Sequence, residues 1–187
     1  MIIKKTQFHV NLDQMQSDLN KVLEMQYWPE WPLGSDKVAN QISLKHRMDK
    51  EDWLDGIGSL KDKQGTILAE EKDFTEWNKL LPDYTKTILQ VLEHSEGVKF
   101  GRIRYMRLLP KSGLRVHYDF ERRYHLALQT NRFCMFGHYY EGSEEVAKCY
   151  HVPADGNFYI ADTRLPHFVY NGSTEERIHL VCSVLEQ

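Results

Sequence analysis

Two kinds of apolar spacing divide this chain. From Asp13, the residues Met15, Leu19, Val22 and Leu23 recur at helical spacing, and Phe8 to Leu12 reads as a short strand before them. A second helix is expected within Phe74 to His94, built on Leu81, Tyr84, Ile88 and Val91, with Pro82 placed to open it. Gln41 to His46 alternates polar and apolar, the mark of a strand. Residues 27–37, YWPEWPLGSDK, read as a loop on their two prolines and Gly-Ser pair. That loop is either a lid or a connection whose Trp28 and Trp31 pack onto the core.

Beyond Lys99 the period becomes two. RIRYMRLL (102–109), YHLALQT (124–130), Phe133 to Tyr139, Cys149 to Val152, Gly156 to Ala161 and Arg177 to Val184 all read as strands. Pro110-Lys111-Ser112-Gly113 and Asn131-Arg132 read as turns. The helices precede the strands and are not interleaved with them. The expected class is therefore mainly β with flanking helices, a sandwich or barrel and not a doubly wound α/β fold. The 187 residues suit one domain, with 1–98 as mixed helix and strand support and 99–187 as the β-core.

Composition narrows the function classes. A net charge of −3 gives no electrostatic case for nucleic acid or an anionic membrane as partner. No run of about 18 apolar residues exists to span a bilayer, and the opening MIIKKTQFHV has too short an apolar stretch for a signal peptide. Cys134, Cys149 and Cys182 are odd in number and form no C-x-x-C pair, which points to free thiols in a reducing, cytoplasmic compartment.

The chemistry concentrates in four residues: His117, Asp119, His167 and Arg177. In an H-x-D triplet on an extended strand, His117 and Asp119 point the same way and Tyr118 points away. A third ligand from a distant strand, His167 in RLPHFVYNG just after a strand ending in Ala161-Asp162, completes a 2-His-1-carboxylate facial triad, which holds Fe(II) and leaves positions open. Arg177, inside an alternating strand, supplies a buried fork for a dicarboxylate such as 2-oxoglutarate. The plainer readings are a hydrogen-bonded surface pair for the triplet and an ordinary salt bridge for the arginine. Arg123 and His125 share one strand face and could reach an anion, whereas Glu121 and Arg122 are expected in a solvent-facing loop. His179, two residues after Arg177, faces the same side. His9, His46, His94, His138 and His151 read as surface or satisfied core groups.

Taken together, IRYMRLLP (103–110), His117, RYHLAL (123–128), His167 and Arg177 resemble the aspartyl/asparaginyl β-hydroxylase family of Fe(II)/2-oxoglutarate dioxygenases, over about residues 101 to 187. The resemblance implies a double-stranded β-helix, or jelly roll, with the site in its mouth. It implies Fe(II), 2-oxoglutarate and O2 as cofactor and co-substrates, with His117, Asp119 and His167 as metal ligands. It assigns Arg177 to the distal carboxylate of 2-oxoglutarate and gives Arg123 and His125 a part in binding it. Asp119 departs from the H-x-G pattern of the peptidyl members and looks more like the proline hydroxylases grouped with them. Met106 stands where the peptidyl enzymes carry a serine. The implied activity is hydroxylation of an amino acid or peptidyl residue, with succinate and CO2 as co-products. Two other classes stay open: a cupin-like metalloenzyme without 2-oxoglutarate, and a non-catalytic β-barrel binding module.

Overall fold

A computed structural model describes residues 2–29, 39–62, 64–140 and 145–185. Most of the 27–37 loop, Trp31 included, lies outside the described residues; Trp28 packs against the main core cluster.

Twelve strands and two helices make up the described chain. They run β1 (Ile3–His9), α1 (Leu12–Met25), β2 (Ala39–Ser43), β3 (Lys45–His46), β4 (Glu76–Trp77), α2 (Asp83–Glu96), β5 (Phe100–Leu108) and β6 (Ser112–His117). There follow β7 (Arg123–Gln129), β8 (Cys134–Tyr139), β9 (Val146–Tyr150), β10 (Asn157–Ala161), β11 (His167–Asn171) and β12 (Arg177–Val184). A six-stranded antiparallel sheet in the order β1-β10-β7-β12-β5-β2 faces a four-stranded antiparallel sheet in the order β6-β11-β8-β9. This is the jelly roll. A cluster of Leu108, Ala127 and Ala161 from the larger sheet with Phe136 and Val169 from the smaller one joins the two layers.

The larger sheet has two different faces. Along β12, Ile178, Leu180, Cys182 and Val184 point to one side, where Tyr105, Leu126 and Leu128 join them under α1 and α2. Met15, Leu19 and Val22 of α1 and Leu89 and Leu92 of α2 close that cluster. Arg177, His179, Val181 and Ser183 occupy the opposite face, toward the smaller sheet. Every residue of β12 is buried, so the period of two here separates an apolar face from one that carries Arg177, His179 and Ser183, and not inside from outside.

Local chemistry fixes the helices. The Asn11 side chain accepts from the Gln14 amide and opens α1. Pro82 precedes α2 as expected but has no side-chain acceptor to offer. The orphan amide of Thr85 instead donates to Asp18 Oδ2 of α1 (3.1 Å), as does the Thr85 hydroxyl (3.0 Å). A fully buried carboxylate thus caps one helix from the other. Gly97, at φ 65°, ends α2 in the left-handed region.

Several sequence expectations need correction. β1 begins at Ile3 and not Phe8, and Leu12 already belongs to α1. The buried face of α2 is Thr85, Leu89 and Leu92, whereas Val91 is exposed. Ser112 and Gly113 belong to β6 and not to the preceding turn; the extended strand expected to carry the H-x-D triplet ends at His117, and no bounds were read for the strand that carries His167.

Candidate metal centre

His117 and His167 are direct partners across antiparallel strands β6 and β11, with ring centroids 4.3 Å apart. Each ring is oriented by the same device. His117 Nδ1 lies 2.7 Å from the Arg115 carbonyl, and His167 Nδ1 lies 2.9 Å from the Leu165 carbonyl. A carbonyl oxygen can only accept, so each Nδ1 carries the proton and each Nε2 keeps its lone pair. His167 is further held flat against Phe136, at 5.0 Å and 4°. Burial, with His117 adding to it, pushes the His167 pKa down to about 4, so the ring is neutral near pH 7.

Asp119 is not on the strand. β6 ends at His117, and Asp119 lies two residues further, in the turn to β7. Its position comes from other contacts. Its amide donates to the Thr163 carbonyl (2.8 Å), and Arg123 Nη2 grips Oδ1 at 2.7 Å. Oδ2 is thereby turned inward, 3.6 Å from His167 Nε2, and it is buried with no hydrogen-bond partner. Two acceptors therefore face one another, an unfavourable arrangement unless a cation lies between them. One ligand atom from each of His117, Asp119 and His167 lies within 4.8 Å of the others, so the donor set fits a small divalent ion.

Arg177 is buried and pairs with no carboxylate among the described residues; its Nη2 donates to His179 Nδ1 at 3.0 Å. Burial alone brings its pKa down to about 10. His179 lies behind Arg177, 5.9 Å from His125. Both ring nitrogens of His125 are buried without a partner among the described residues, and burial pushes both histidines well below their ordinary pKa. A small cavity of about 30 Å³ lies among these groups, lined by Met106, His117, Arg123, His125, His167 and Arg177 among others. That is room for a water or two and not for a five-carbon diacid. Binding such a ligand would require side chains to move, and the unbranched Met106 is the most adaptable part of the wall.

Five of the six residues singled out from sequence, His117, Arg123, His125, His167 and Arg177, line one cavity, and Asp119 adjoins it through Arg123 and His167. Arg123 differs from expectation: its Nη2 is committed to Asp119 and to Glu121 (3.0 Å), so it orients the carboxylate of the candidate metal site. Glu121 is buried and not in a solvent-facing loop, and burial pushes its carboxyl up. Thr163, whose hydroxyl donates to the Glu121 carbonyl, braces the same turn and had no signal in the sequence. Arg104 was also missed, although an arginine within an alternating strand is the signal that drew attention to Arg177.

With fold and geometry established, the class is a jelly-roll protein bearing a His-Asp-His cluster. The chain belongs to the aspartyl/asparaginyl β-hydroxylase family, whose family model matches residues 10–187, well beyond the half in which the motifs lie. It is thus an oxidoreductase of the hydroxylase type. It is similar in fold to an oxidoreductase of the 2OG-Fe(II) oxygenase family from Burkholderia pseudomallei (17% identity, 92% of this chain and 76% of that one, TM-score 0.55). A prolyl-4-hydroxylase from Pseudomonas putida is similar at 9% identity over 100% of this chain and 93% of that one, TM-score 0.54. The non-heme α-ketoglutarate-dependent epimerase SnoN from nogalamycin biosynthesis gives 12%, 99%, 78% and 0.62. No curated protein matches the chain. No helix among the described residues is long and apolar enough to cross a membrane.

Proposed function

We propose that this protein is an Fe(II)- and 2-oxoglutarate-dependent dioxygenase that hydroxylates a C–H bond of an amino acid or a peptidyl residue, releasing succinate and CO2. The reading rests above all on the unpartnered Asp119 Oδ2 facing the His167 Nε2 lone pair. His117, Asp119 and His167 would hold the metal. Bound iron would supply the oxygen activation that no side chain here can perform.

The protein's own residues do the rest. Backbone carbonyls of Arg115 and Leu165 hold both imidazoles in the ligating tautomer. Arg123 keeps the Asp119 carboxylate turned toward them. Arg177 offers a forked, desolvated cation for the distal carboxylate of the co-substrate, and His179 fixes the orientation of that fork. His125 presents ring nitrogens without a partner to the same cavity and is suited to a co-substrate oxygen. The apolar wall of Leu108, Leu114, Phe136, Val169 and Val181 keeps water from the reacting atoms.

The test is visible absorption under anaerobic conditions as Fe(II) and then 2-oxoglutarate are added. A charge-transfer band is expected in wild type and a much weaker one in Arg177→Ala. Folded, metal-loaded wild type without a band would favour the cupin-like or binding-module readings instead.

A further inference from the structure

The site-facing side of the larger sheet carries two arginines without a carboxylate partner among the described residues. On β12 and β5, Arg177 stands opposite Leu108, and Arg104 stands opposite Val181. The second arginine is therefore displaced by four residues of strand, about 13 Å, from the first. That displacement runs toward the Ser183–Arg123 end of the sheet, where Asp119 is held. Its flanking neighbours, Met106 along β5 and Val181 across the ladder, both line the cavity.

Arg104 is 2% exposed, yet only Nη1 is satisfied, donating to Gln41 Oε1 at 3.0 Å. Its Nε and Nη2 find no acceptor among the described residues. Ser183 of β12, fully buried on the same face of the sheet, has a hydroxyl without a partner among the described residues, and Arg123 Nε likewise has none. Buried donors in this number are rare in a core that takes no ligand. What they lack in common is an acceptor.

Charge points the same way. Arg102, Arg104 and Arg123 share the field of Glu71, Asp119 and Glu121, and Arg177 stands apart with no carboxylate among the described residues, so these four arginines and three acids leave one positive charge over. A divalent ion adds two charges and a dicarboxylate removes two. One buried positive charge is still uncompensated, and it belongs to the arginine that neither the metal nor the co-substrate engages. We propose that Arg104, with Ser183 two residues beyond its partner Val181 on the same sheet face, forms a second anion subsite that binds the α-carboxylate of the substrate, so that the substrate is a free amino acid and not an internal residue of a peptide. This rests on the dioxygenase reading above.

The experiment uses full-length protein loaded with Zn(II) and saturating 2-oxoglutarate, and reads the thermal midpoint. The probes are an equimolar mixture of the twenty free L-amino acids and the same mixture as α-carboxamides at equal ionic strength. The free acids are expected to raise the midpoint and the amides to leave it unmoved. Arg104→Met is expected to keep the rise caused by 2-oxoglutarate and lose the one caused by the acids, an apparent affinity loss of at least about tenfold. The subsite is refuted if acids and amides act alike, if neither acts, or if Arg104→Met responds as wild type does. Should Arg104→Met fail to fold, Arg104→Lys and Ser183→Ala decide the matter, each with a weakened acid response. A wild type that does not respond to 2-oxoglutarate refutes the dioxygenase reading, and the acid–amide comparison on the metal-loaded protein still decides the subsite.

Discussion

Replacing Arg177 with methionine separates a functional cation from a structural one. The guanidinium is buried and has no carboxylate partner among the described residues, so the fold gains little from its charge. Exchanging a buried charged group for an apolar one of similar length is often neutral or stabilising by about 1–4 kcal/mol. Against this, His179 Nδ1 loses its donor, at a cost of about 1–3 kcal/mol. These terms nearly offset, and the unfolding free energy of the apoprotein should stay close to the wild-type value. Ligand binding behaves differently. Two charge-assisted bonds to a carboxylate are worth about 1.5–3 kcal/mol each, so their loss weakens 2-oxoglutarate binding by about two to four orders of magnitude. Urea denaturation gives the first quantity, and an anaerobic titration of 2-oxoglutarate into Fe(II)-protein gives the second. A variant that loses more than about 3 kcal/mol of stability while binding 2-oxoglutarate within about threefold of wild type would show that Arg177 is a structural residue.

Three further outcomes are expected. Apoprotein stability should fall as the pH drops below about 6.5, because His125, His167 and His179 are held below that value when folded (His167 at about 4) and the unfolded chain binds the extra protons; each contributes about 1.4 kcal/mol per pH unit, and urea midpoints from pH 8 to pH 5 that do not decline would contradict the burial of these rings. Arg123→Ala should release Asp119 and weaken Fe(II) or Zn(II) binding about 10- to 100-fold, measured by competition with a chelator, and an unchanged affinity would remove its orienting role. On α2, Leu92→Ala should cost about 2–5 kcal/mol while Val91→Lys stays within about 0.5 kcal/mol, and chemical denaturation showing the reverse would mean the helix is turned about its axis.

The legible parts of the fold were those whose residues are buried in a regular pattern. β12 was read to the residue because its alternation is complete. β1 was displaced by several residues because it is an edge strand paired only with β10, and Lys4 and Lys5 on it are exposed. β11 escaped because Phe168 and Tyr170 stand on its outer face, so apolar residues run along both sides and leave no period of two. The α2 face was misassigned because its most buried polar residue, Thr85, looks like a surface position until Asp18 of α1 is brought against it. The His-Asp-His cluster of the candidate metal site was legible through residue type and spacing alone. Its supports were not, since Thr163 and the carbonyls of Arg115 and Leu165 act through backbone geometry that no side-chain pattern encodes.

The two faces of the larger sheet also explain why this protein needs helices at all. A sheet face holding Arg104, Arg177, His125 and His179 away from water makes a negative contribution to stability, since each desolvated polar group costs more than its few contacts return. The opposite face must compensate, and it does so with an apolar layer in which α1 and α2 cover Ile103, Tyr105, Leu126, Leu180 and Cys182. The helix-to-helix cap from Asp18 to Thr85 holds that cover in place. The N-terminal half, which contributes no member of the His-Asp-His cluster among the described residues, is therefore what allows the C-terminal strands to keep unpaired cations and neutral histidines poised around the cavity. Substitutions under the helices should act through stability, and substitutions on the cavity side through binding, because one sheet separates the two tasks by a single residue of register.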